Sequence, residues 1–219
     1  MVHLVEELWA EVDALPPTVY PPGVLPVPEH IRGTAFFAAG AGLVVGDPGD
    51  QLPPFPYGGV MFVGNNPDAE ASYIKRLHSG VPHGDRARPM KTWKNLYLLL
   101  DGAGVDPTSC FFTNVFVGLV RGKNPLAGVS TPAGSTYRKW CRDFLTRQIT
   151  VMKPRAIVAL GSAALDHFGS DPAEDGMITV AGHEARFACL AHPSMYPANL
   201  SKRGGWPGEV ARLRSTVEW

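Results

Sequence analysis

Four short, mostly apolar runs do most to limit what this chain can fold into. They are VMFV at residues 60–63, CFFTNVFV at 110–117, AIVAL at 156–160 and FACLA at 187–191. Each is strand length rather than helix length, and the first and last stop abruptly at GNNPD and HPS. Between them lie stretches with helical periodicity at 93–103 and 136–152, and a shorter one at 163–168. Strands alternating with helices imply an α/β three-layer sandwich, in which a central four-stranded, mainly parallel sheet is flanked by helices. Ligands in such folds sit beyond the carboxyl ends of the strands. Residues 57–219 read as one domain of this kind. Residues 1–56 read as an N-terminal helix over 4–15, ended by Pro16 and Pro17, followed by a proline-rich arm packed on the domain. Within that arm, 32–47 suggests one or two strands around a glycine turn; no helical pattern follows Gly40 and Gly42, which argues against a dinucleotide loop.

Composition narrows the partners. Lys+Arg and Asp+Glu both total 20, so no global field draws the protein to nucleic acid or to a membrane, although a local basic rim can still grip phosphates. The weakly polar stretch 35–46 is too short to span a bilayer. Cys110, Cys141 and Cys189 are widely spaced and form no CxxC pair, which fits a reduced cytoplasmic protein with no metal and no other cofactor. GSA at 161–163 lacks the spacing of a serine hydrolase elbow.

The strand ends supply the candidate chemistry. The first gives Gly64, Asn65, Asn66, Pro67 and Asp68, and the second gives Asn114 and then Arg121 and Lys123. The third gives Gly161 and Ser162, and the fourth gives His192, Pro193 and Ser194. Asn66, Asn114 and His192 are neutral polar groups suited to a planar heterocycle: a carboxamide both donates and accepts, and an imidazole can donate to an oxygen that becomes anionic.

These motifs, in this order, resemble the uracil-DNA glycosylase superfamily over roughly residues 60–203. GNNPD resembles the first motif of the mismatch-specific and single-strand-selective branches, in which an Asn positions water. CFFTN resembles the strand whose last Asn pairs with the extruded base. HPS resembles the second motif, whose His stabilises the departing base and whose following loop enters DNA. GVPHG resembles the loop that stacks an aromatic residue on the base, with His83 in that place. Residues 140–165 resemble a helix–strand unit of the iron–sulfur branch, of whose ligands only Cys141 remains, so no cluster is expected.

The resemblance implies catalytic roles for Asn66 and His192. It implies base binding by Asn114, His83, Asp68, Gly64 and Asn65, and DNA contacts from Ser194, Met195, Tyr196, Lys202, Arg203, Arg121 and Lys123. It points to a repair glycosylase, expected to be a monomer, acting on DNA that is single-stranded or has its base flipped out. Asp68 replaces a small Gly beside the pyrimidine C5 edge, and His83 replaces Phe. Two alternatives therefore stand beside excision of uracil: a catalytically weak or inactive DNA-binding relative, and an enzyme acting on a free nucleoside or modified base.

Overall fold

In the computed structural model, the described residues are 2–26, 56–65, 69–79, 91–122, 134–169, 176–194 and 197–218. Helix α1 (Val2–Asp13) leads through a proline-rich turn to the two-residue strand β1 (Val24–Leu25). Strand β2 (Val60–Gly64) precedes α2 (Glu70–Ser79) and α3 (Lys91–Ala103). Next come β3 (Cys110–Asn114), the short β4 (Leu119–Val120) and the long α4 (Ser135–Met152). The chain then forms β5 (Ala156–Leu160), α5 (Ser162–Phe168), β6 (Gly176–Val180) and β7 (His183–Leu190), and α6 (Gly205–Val217) closes it.

The main sheet has five strands in the order β3-β2-β5-β7-β6, all parallel except the antiparallel edge strand β6. This corrects the expected four. β6 is joined to β7 by a two-residue turn in which Ala181 and Gly182 both have positive φ, at 50° and 79°. That turn matches the right-handed twist of a hairpin, but its first residue is Ala rather than the Asn or Asp that would advertise it. The pattern of GMITV gives little further help, because only one face of an edge strand is covered, and Met177 is exposed. The second expected strand is also shortened. Regular pairing stops at Asn114, and the chain turns at Gly118 (φ 123°) into β4, which pairs with β1.

Every residue of β2, β3 and β5 is buried, because both faces of the sheet are covered. On one face, Met61, Val63, Phe111, Ile157 and Ala159 meet Tyr137, Phe144, Leu145 and Ile149 of α4. Leu8 and Val12 of α1 join that layer, with Arg147 of α4 3.2 Å from Glu11. On the other, Val60, Phe62, Phe112, Val158 and Leu190 meet Trp93, Leu96 and Leu100 of α3 and Leu213 and Val217 of α6. α3 and α6 approach closely at Gly102, where a Cβ would come within 2.9 Å of both methyls of Val210. The helices expected at 93–103, 136–152 and 163–168 form within two residues of their expected limits. Unforeseen were α2, which lies in a polar and basic stretch with few apolar residues, and α6. Among the described residues, no helix is long and apolar enough to cross a membrane.

Candidate active site

The four parallel strands end along one edge. Gly64 and Asn114 are register partners at the ends of β2 and β3. Past them the two chains stay bonded, Val115 N–H donating to Gly64 and Phe116 N–H to Asn65, both at 2.9 Å. Gly64, Asn65 and Asn114 are thereby brought together. Asn114 is buried and alternates with Cys110 and Phe112, which places it on the α3 side of the sheet. Its neighbour Thr113 faces α4 and donates to Gln148 Oε1 at 2.8 Å. Leu160 and Leu190 are likewise partners, and Gly161 N–H donates to Leu190 at 2.8 Å. His192 therefore emerges at the same edge as Asn114. With β2 and β5 between, the two backbones stand about 14 Å apart at ordinary strand spacing.

His192 is half-buried. Its Nδ1 lies 2.7 Å from Ser194 Oγ and 3.2 Å from Ser194 N. A backbone N–H can only donate, so Nδ1 presents its lone pair and the neutral ring carries its proton on Nε2. Burial also pushes the imidazole pKa below its ordinary value, which favours that neutral form. Against the backbone and Cβ of His192 stands Gly161, with φ 88° and ψ 163°, a conformation open essentially to glycine alone. A Cβ there would sit 3.1 Å from His192 Cβ.

The segment carrying His192 is tied to three other parts of the chain. Ala191 N–H donates to Glu209 Oε2 at 2.7 Å. Asn95 of α3 donates from Nδ2 to the Pro193 carbonyl at 2.6 Å. Arg203 donates from Nε to Glu209 Oε1 and from Nη2 to the Cys189 carbonyl, both at 2.6 Å. The resulting edge holds a neutral donor, a buried carboxamide and well-anchored backbone. Among the described residues, no group of three or more His, Cys, Asp or Glu side chains is arranged to hold a metal ion. The model of the uracil DNA glycosylase superfamily matches residues 55–211.

The chain belongs to the uracil DNA glycosylase superfamily. The matched span runs from just before β2 into α6 and so contains all four parallel strand ends. Its members act on DNA, which makes a base-releasing hydrolase of DNA repair the activity suggested at superfamily level. No curated protein gives a significant match.

Of the residues that the superfamily resemblance singled out, Gly64, Asn65, Asn114, His192 and Ser194 stand at the strand edge. Lys202 and Arg121 are exposed. Arg203 is partly buried, with its guanidinium turned inward on Glu209 and Cys189. Asn66, Asp68, His83, Lys123, Met195 and Tyr196 lie outside the described residues. Trp206 packs against the α3–α6 side and lines a surface hollow of about 360 Å³ with Leu98 and Val210.

Sequence reasoning missed Asn95 and Glu209. Glu209 left a trace: it shares a helical stripe with Leu213 and Val217, and a carboxylate on a buried stripe calls for a cation. Asn95 left none, since an Asn on a partly exposed helix face is commonplace.

Proposed function

We propose that this protein is a monofunctional DNA glycosylase that hydrolyses the N-glycosidic bond of uracil or a related damaged base and leaves an abasic site. The supporting observation is the Ser194 N–H on His192 Nδ1, which makes Nε2–H the free donor at the strand edge shared with Asn114. As the C1′–N1 bond breaks, its electron pair leaves on the base and the sugar takes on positive charge. A water oxygen then bonds to C1′ and releases a proton. His192 steadies the anionic carbonyl oxygen of the leaving base, a part for which one preorganised donor is worth about 3–4 kcal/mol.

Asn66 positions the water; an amide is no general base, so its contribution is orientation. Asn114 reads the base edge through paired donor and acceptor, with Gly64 and Asn65 forming the floor beside it. His83 stacks on the base, and Asp68 faces its C5 side and selects among pyrimidines. Ser194, Met195, Tyr196, Lys202, Arg121 and Lys123 meet the DNA strand, while Arg203 supports that loop from within.

The test is incubation of the purified protein with oligonucleotides carrying uracil, hypoxanthine, xanthine or oxidised pyrimidines, followed by alkaline cleavage at abasic sites. Excision should fall by about 100-fold or more in His192→Ala and clearly in Asn66→Ala. Salt-sensitive retention of DNA with no base released from any substrate, even by Asp68→Gly, would establish the binding-only alternative. Release of base from free nucleosides alone would establish the other.

A further inference from the structure

The two residues flanking His192 each hold a backbone group bonded to a side chain from a different helix. On one side, Ala191 N–H meets Glu209 of α6; on the other, the Pro193 carbonyl meets Asn95 of α3. We propose that Asn95 and Glu209 are positioning residues that fix where His192 presents its Nε2–H. The inference rests on the reading of His192 as the group that meets the departing base.

The geometry explains why such residues are needed. Register pairing of β7 with β5 ends at Leu190, so Ala191 and Pro193 have left the paired strands, yet both are buried. A buried N–H or C=O without a partner is costly, and each flanking group finds its partner in one of these two side chains. Loops ordinarily move, whereas a donor aimed at developing charge must be held within about 0.5 Å of its working place. Glu209 is fully buried, and Arg203 bonds both its carboxylate and the Cys189 carbonyl, so the contact closes back onto β7. A buried ion pair is a poor source of stability compared with apolar packing. Its orientation of Ala191 accounts for its presence better than any gain in folding energy. Pro193, with its restricted φ, makes the three-residue segment stiffer still.

Asn95 carries the test, because Asn95→Ala removes the donor and Asn95→Asp keeps the shape while turning an oxygen towards the Pro193 carbonyl. Single-turnover excision, dissociation constant for a uracil oligonucleotide and the ¹⁵N resonances of the His192 ring are measured for both variants and for Glu209→Gln. Both Asn95 variants should lose about 10- to 100-fold in excision rate while DNA affinity stays within about twofold, and the His192 signals should shift. Glu209→Gln should shift the same ring signals and the Ala191 amide. Unchanged ring signals, excision within about twofold of the parent, or a loss explained by weaker DNA binding would overturn the proposal. The ring signals are read without turnover. If the parent protein releases no base, a shift in them still supports the clamp and only the activity assignment fails.

Discussion

His192 is poised by two atoms of Ser194, and the consequences can be measured on one residue. Protonating Nδ1 would set a ring N–H against the Ser194 backbone N–H, so the imidazolium is incompatible with the present loop. The folded pKa lies below the ordinary 6.5 because burial disfavours the cation. Single-turnover excision should be flat from neutral pH upward and decline as pH falls through that lowered pKa. A rate that climbs on acidification would show that the cation, not the neutral ring, is the working donor. Gly161 offers a second test at this scale. Gly161→Ala combines a φ that side chains avoid with a contact of 3.1 Å to His192 Cβ. The variant should lose about 1–3 kcal/mol of stability and more than tenfold in excision, read by denaturant titration and single-turnover assay.

At the scale of elements, hairpin β6–β7 shows where local chemistry and fold disagree. Ala181 is exposed at φ 50°, a left-handed conformation that costs an ordinary residue about 1–2 kcal/mol. Ala181→Asn should therefore raise stability by about 0.5–1 kcal/mol, seen as a higher denaturant midpoint with an unchanged slope. A lower midpoint would mean that the turn geometry is wrong. The same turn explains why β6 was illegible: a one-sided edge strand needs a turn signal to be recognised, and Ala-Gly supplies half of one. By contrast, β5 was legible to the residue, because AIVAL is apolar throughout and bounded by Arg155 and Gly161. α3 was legible through Trp93, Leu96, Leu100 and Ala103 on one stripe, stopped by Gly104 with φ 70°.

Across the whole molecule, burial sets the chemistry of groups remote from the strand edge. All three cysteines are free and buried, and desolvation pushes the thiols of Cys110 and Cys141 up to about 12. Thiolate, the reactive form, is therefore scarce. Native protein at pH 8 should resist iodoacetamide over times in which denatured protein takes up three labels, as counted by intact mass. Stoichiometric native labelling of any cysteine would contradict this packing. Acid should also weaken the fold. His167, desolvated and near Arg142, and His192 both have lowered folded pKa values. Below about pH 6.5 the unfolded chain binds protons that the folded protein resists, so stability is full above that pH and declines as pH falls through the lowered values. Urea midpoints between pH 7.5 and 5 would check the direction.

The sequence by itself determined the strand–helix alternation, the edge at which polar residues collect, and His192 and Asn114 as residues of that edge. Those are local properties: apolar run length, periodicity and the bending residues that end each run. Only the tertiary structure decided the fifth strand, the inward commitment of Arg203 and the hold of Asn95 and Glu209 on the His192 segment. The reason is distance along the chain. Asn95 and Pro193 are 98 positions apart, and Ala191 and Glu209 are 18 apart. No window of sequence contains both ends of the first bond, and the second forms only because α6 packs back over the end of β7.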